Sequence, residues 1–192
     1  MKIIIAGSEN ADKYSIAKEL QALNDDLMIA PVFSTDLKLK GKLTDDFTYY
    51  MGAEEVELSY KNDAFMWVRS KDDESTGVTK PDMYTSSIFV MSFAEFNNMS
   101  NPTLKEFLND DGIICFLDTK NNNSDDDKRE SKFACERIFE SPYLYFLDED
   151  VDYIVKTVLD YINGDDSERK RISEKMNSWN LYTILSIFYL NT

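Results

Sequence analysis

Residues 1–23, MKIIIAGSENADKYSIAKELQAL, constrain the fold more than any other segment. An apolar run, Ile3-Ile4-Ile5-Ala6, stops at Gly7, and Ile16, Leu20 and Leu23 then recur at helical spacing. This is the strand, loop and helix context in which the phosphate-binding pattern G-x-x-x-x-G-K-[ST] works. Gly7 and Lys13 stand at the required spacing, but Asp12 holds the place of the second glycine and Tyr14 that of the Ser/Thr, with Ser15 one position late. A working loop aims backbone N–H groups and a helix N-terminus at an anion. A carboxylate at Asp12 opposes that, since like charges ~4 Å apart repel by ~4 kcal/mol at an effective dielectric of ~20. Aspartate tolerates a left-handed turn and is a good N-cap. The expectation is a loop that keeps its path, with the Asp12 carboxylate, paired with Lys13, in the anion seat. The ring of Tyr14 carries its hydroxyl too far out to hold Mg²⁺; Ser15 substitutes only if the loop shifts.

With 192 residues and 43% hydrophobic content, the chain is long enough for one α/β domain with a substantial core. Its net charge is −15 and it contains no histidine. So acidic a chain offers no basic footprint to nucleic acid or to an anionic membrane. The absence of histidine excludes a His-based hydrolase or zinc site. Cys115 and Cys135 lack C-x-x-C spacing and read as buried free thiols of a reducing compartment. No apolar stretch approaches the ~18–20 residues of a membrane span, and the short N-terminal run reads as a buried strand, not a secretory signal. A cytoplasmic location is expected.

Short runs apolar on both faces predict parallel central strands at Lys2–Ala6, Met28–Phe33, Ile88–Phe93, Ile113–Leu117 and Tyr143–Leu147. Helices are predicted at Lys13–Leu23, Pro102–Leu108, Ser131–Phe139 and Val151–Ile162, the last with Asp148 or Asp150 as its cap and Gly164 after its end. The alternation argues for a doubly wound, three-layer α/β domain on a parallel five-stranded sheet. Residues 36–85 break the rhythm and read as an inserted lobe of short antiparallel strands with a helix near Ala53–Tyr60. The core is then 1–35 plus 86–164. Lys120–Lys128, KNNNSDDDK, reads as a polar loop. Residues 165–192 form an extension, basic at Arg169, Lys170 and Arg171 and then apolar, that packs on its own domain or serves a protein partner or self-association.

This order of parts resembles the P-loop nucleoside monophosphate kinases, and among them the guanylate kinase family. The lobe segments that carry the resemblance are Val32-Phe33-Ser34-Thr35-Asp36, Tyr49-Tyr50-Met51, Glu54-Glu55-Val56-Glu57, Tyr60-Lys61-Asn62-Asp63-Ala64-Phe65 and Thr76-Gly77-Val78-Thr79. The resemblance implies a lobe that grips a GMP-type phosphate, with Ser34, Tyr49 and Thr76 as its contacts, and a lid supplying Lys128, Arg129, Lys132 and Arg137. It implies Lys13 and Arg129 as catalytic cations, with ATP and Mg as cofactors of an active enzyme. The departures are Asp12, Tyr14, Asp36 where the family has an arginine, Met66-Trp67 near the guanine-reading acid, and Glu95 as the only acid near the third core strand. No metal ligand set is identified.

Phosphoryl transfer relies on positioning and charge neutralisation, so these departures favour a non-catalytic binding or assembly module over an enzyme. Two alternatives stand beside it. One is a divergent nucleotide kinase using Lys13, Ser15, Lys128 and Arg129. The other is a structural protein, viral or of phage origin, located in the host cytoplasm or virion, with the extension as its interface.

Overall fold

The computed structural model describes residues 1–44, 47–109, 111–119, 125–137, 143–147 and 149–176. In chain order the elements are β1 (Lys2–Gly7), α1 (Lys13–Leu23), β2 (Val32–Ser34), a 3-10 turn (Leu37–Leu39), β3 (Thr48–Tyr50), α2 (Ala53–Lys61), β4 (Phe65–Lys71) and β5 (Glu74–Thr79). There follow α3 (Lys80–Thr85), β6 (Ile88–Ser92), α4 (Phe93–Asn98), α5 (Asn101–Asn109), β7 (Gly112–Asp118), α6 (Asp125–Arg137), β8 (Tyr143–Leu147) and α7 (Val151–Asn163). Residues 166–176 are also helical.

The core sheet is all parallel, in the order β6-β1-β7-β8. Successive residues of a strand face opposite sides, which explains why these strands are apolar throughout. Ile3 and Ile5 pack with α1, α7 and the buried Ile172 and Met176, whereas Ile4 and Ala6 pack on the other side with Phe93, Phe96, Leu104 and Phe107. The result is three layers. On the second side Phe116 meets the rings of Phe93, Phe96 and Tyr143 at 5.7, 5.4 and 6.1 Å, and burial of each such ring contributes about 1.5–3 kcal/mol.

The expected five-stranded sheet has four strands among the described residues, because the predicted strand Met28–Phe33 is divided. Its first half pairs with the core sheet through a single parallel bridge from Ile29 to Ile88, with the Ala30 amide donating to the Ile88 carbonyl at 2.7 Å. Pro31 follows, with no N–H to extend the ladder. From Val32 the chain enters a second sheet, ordered β3-β2-β5-β4, in which β3 is parallel to β2 and the other pairs are antiparallel. The lobe thus shares β2 with the segment read as core, and is mixed where antiparallel pairing was expected.

Two other boundaries moved. Phe93 begins α4 instead of ending a strand, because Ser92 and Glu95 form a reciprocal cap: the Glu95 amide donates to Ser92 Oγ at 3.2 Å and the Ser92 amide to Glu95 Oε2 at 2.6 Å. Asp125–Lys128, read as loop, open α6, where acidic residues suit a helix N-terminus. Asp150 caps α7, accepting the Tyr153 amide at 2.8 Å; Asp148 lies outside the described residues. The start of the extension packs back on the core, with Arg169 donating to the Tyr161 and Ile162 carbonyls at the end of α7, both at 3.1 Å. Residues 177–192, read as an apolar interface, lie outside the described residues. No helix among the described residues is long and apolar enough to cross a membrane.

Candidate functional site

The β1–α1 loop is held by its own backbone. The Ala11 amide donates to the Ser8 carbonyl at 3.1 Å, and the Lys13 amide to the Ala11 carbonyl at 2.8 Å. The second bond closes an inverse γ-turn at Asp12, whose φ of −78° and ψ of 57° lie close to that turn's minimum. No residue of the loop has a positive φ, so the alternating backbone that forms an anion nest is absent. The left-handed tolerance of aspartate is therefore not used. The expected cap at Asp12 is not formed either: its exposed side chain makes no capping hydrogen bond.

The residue turned into the loop is Lys13. It is buried, and its ammonium donates to the carbonyls of Ser8, Ala11 and Glu9 at 2.5, 3.4 and 3.5 Å. The loop offers oxygens to its own cation where an anion seat was expected. Gly7 also has a local reason: a Cβ there would stand 2.6 Å from the Leu117 carbonyl of β7. That approach requires glycine whether or not a phosphate ever binds.

Beside the loop, a cleft of about 310 Å³ opens between the core and the lobe. It brings together four of the residues selected from sequence, Lys13, Tyr14, Ser34 and Thr76, with Glu9, Thr48, Trp67, Arg69, Ser92 and Glu95. Its lobe wall is one row of the second sheet. Arg69 on β4 is in register with Thr76 on β5, and Thr76 with Ser34 on β2. The buried Ser34 Oγ accepts the Asp36 amide at 3.1 Å, which leaves its proton for donation. Arg69 Nη1 faces Glu9 Oε1 of the loop at 3.8 Å. On the core wall, Glu95 and Ser92 are committed to the cap of α4. Trp67 is buried, and its Nε1–H has no hydrogen-bond partner among the described residues.

The remaining selected residues are elsewhere. Ser15 is exposed on α1 and does not line the cleft. Tyr49 is in register with Phe33, whose ring packs in the small core of Phe33, Val56 and Phe65. It therefore faces away from the cleft, and its neighbour Thr48 is the β3 residue that lines it. Burial, with the Asp82 and Glu55 carboxylates, pushes the Tyr49 hydroxyl up to about 12, an environment opposed to anions. Asp36 accepts the Lys38 amide at 2.9 Å and caps the 3-10 turn.

None of the lid cations reaches the cleft. Lys128 and Arg129 are exposed and face Asp125 and Asp126 of their own helix at 4.0 and 3.1 Å. Lys132 is exposed on the same helix. Arg137 donates to the Phe96 and Met99 carbonyls, both at 2.6 Å, and lies over the Phe96 ring. It ties α6 to the end of α4, and burial lowers its pKa.

Both cysteines are free, and burial first of all raises each thiol to about 12. Asp118, at the end of β7, accepts the Ser131 and Tyr145 hydroxyls at 2.9 and 2.8 Å. Among the described residues no group of three or more His, Cys, Asp or Glu side chains is arranged to hold a metal ion.

Sequence reasoning missed Arg69 and Glu9. A signal for Arg69 existed: Trp67 and Arg69 are two apart in a strand, so they share one face.

No protein-family model matches this sequence, and no curated protein sequence does. Among solved structures, the guanylate kinase from Anaplasma phagocytophilum is similar, with a TM-score of 0.50 over 91% of this chain and 94% of that one, at 12% identity. The fold is guanylate kinase-like. At that identity the likeness is one of architecture and assigns no chemistry to the cleft.

Proposed function

We propose that this guanylate kinase-like chain is a non-catalytic binding module, with a degenerate Walker A loop and a cleft that recognises its ligand through the lobe wall. The observation that carries this reading is the state of the β1–α1 loop. The Lys13 amide is spent in the turn at Asp12, and the Lys13 ammonium is anchored on loop carbonyls. These residues do not fit the phosphates of ATP with its Mg²⁺. The loop has no nest, Tyr14 replaces the metal-binding hydroxyl, and of the cations named for the lid Lys128 and Arg129 are occupied on their own helix and Arg137 at α4. No phosphoryl-transfer step follows from them.

The second reading, a divergent nucleoside monophosphate kinase, is favoured by the placement of Lys13, Ser34 and Thr76 around one cleft. One assay separates the two. The full chain is incubated with Mg-ATP and each nucleoside monophosphate, and ADP is measured. The binding-module reading expects no ADP above the protein-free rate. ADP formation that Lys13→Ala abolishes overturns it.

A further inference from the structure

We propose that Arg69 is the anion-binding residue of the cleft and that Glu9, carried by the β1–α1 loop, is its resident counter-ion, so that a phosphate-bearing ligand binds by displacing the Glu9 carboxylate. This rests on the binding-module reading and names the ligand class of its cleft.

Arg69 is the centre of a small built site. Its guanidinium presents a fork of donors suited to an oxyanion. On the same sheet row stand the hydroxyls of Thr76 and Ser34, and all three residues line the cleft. The Arg69 side chain is 29% exposed, so its charge is partly removed from water and is balanced by a carboxylate. That carboxylate belongs to Glu9, 3.8 Å away across the cleft and itself 65% exposed. The distance is long for an ion pair and the acid is mostly solvated, which is the arrangement of a counter-ion that exchanges. Of the two carboxylates lining the cleft, Glu95 is held by the cap of α4, and Glu9 is the one able to swing out.

Charge selects the ligand. A carboxylate tethered across a cleft competes at a millimolar effective concentration. A singly charged acid of the bulk gains nothing over it, whereas a dianionic phosphate monoester or inorganic phosphate does. The nearby Lys13 ammonium, fixed on the loop, adds to the potential without donating to the ligand. Trp67 lies on the same wall and supplies the optical signal.

The test is a calorimetric titration of the full chain at low ionic strength with inorganic phosphate, acetate and GMP. Wild type, Glu9→Gln, Arg69→Gln and the double variant are compared, with Trp67 emission as a second readout in a Trp179→Phe background. Glu9→Gln is expected to bind phosphate about tenfold more tightly than wild type, with the gain falling as salt is added. The double variant is expected to lose that gain, and acetate to bind no variant measurably. Equal affinity of wild type and Glu9→Gln overturns the exchange, and a gain that persists in the double variant overturns the assignment to Arg69. GMP binding tighter than inorganic phosphate identifies a phosphorylated ligand, and equal affinities identify the free ion; both support the proposal. Melting temperatures confirm that each variant folds. ADP formation from Mg-ATP, read in the same samples, bears on the non-catalytic reading alone and leaves the phosphate isotherms to decide the exchange.

Discussion

The two walls of the cleft use positive charge in opposite ways. On the loop wall, Lys13 is buried with its ammonium on backbone oxygens, so its charge holds the protein together. On the lobe wall, Arg69 keeps part of its surface in solvent and faces the mostly solvated carboxylate of Glu9 at 3.8 Å. The difference shows how a cation near a cleft is to be judged. What matters is whether its donors are already spent on atoms that cannot leave, not whether it matches a motif.

The largest effect that tests this contrast is expected at Gly7. If the glycine is there for β7, Gly7→Ala forces two central strands apart and costs about 2–3 kcal/mol, a fall in melting temperature of about 5–10 °C, with phosphate binding at the lobe retained in the folded fraction. A melting temperature within a degree of wild type contradicts the packing role.

Next is Lys13→Met, which keeps the stem and removes the donors. A loop-holding lysine predicts a loss of about 1–2 kcal/mol on denaturant unfolding. Unchanged stability together with lost phosphate affinity assigns Lys13 to the ligand instead and erases the contrast between the walls.

Asp12→Gly is expected to change stability by no more than about 0.5–1 kcal/mol, since the side chain caps nothing and is exposed. It should create no phosphate site. Any gain in anion affinity comparable to that of Glu9→Gln restores the loop as an anion seat. Smallest in stability is Arg69→Gln, about 0.5 kcal/mol or less, because the pair with Glu9 is long, at 3.8 Å, and its acid is mostly solvated.

Tyr49 supplies a pH test of which way its strand faces. The folded chain holds its hydroxyl protonated above the free value of about 10. Its contribution is complete below pH ~10 and is lost as the pH rises toward about 12. Tyr49→Phe should therefore make alkaline destabilisation shallower across that interval. An unchanged profile places the ring in open solvent.

Much of the core was legible because its signals are local. Ile3–Ala6, Ile113–Leu117 and Tyr143–Leu147 are apolar on both faces, as strands covered by helices must be, and the stripe and Asp150 cap of α7 are written in one segment. The division of the second strand was also legible, since Pro31 stands inside it, but the apolar run around it outweighed that sign. The site was less so, because it depends on register. In Thr-Tyr-Tyr of β3, adjacent side chains face opposite ways, and only the pairing of Val32 with Thr48 decides which one meets the cleft. Arg69 belongs to no motif, and its role comes from two cross-strand neighbours that the sequence keeps apart. The helix of Lys128 and Arg129 could have been read from the aspartates three residues before each.

Pro31 has a consequence for how the molecule comes apart. The amide before it, Ala30, is bonded to Ile88 in one sheet at 2.7 Å, and the amide after it, Val32, to Phe47 in the other at 3.0 Å. Two protons separated by one residue that carries none thus report on different sheets. If core and lobe open as separate cooperative units, hydrogen exchange at these positions will proceed on two clocks, and a ligand that locks the lobe will slow Val32 while leaving Ala30 as it was.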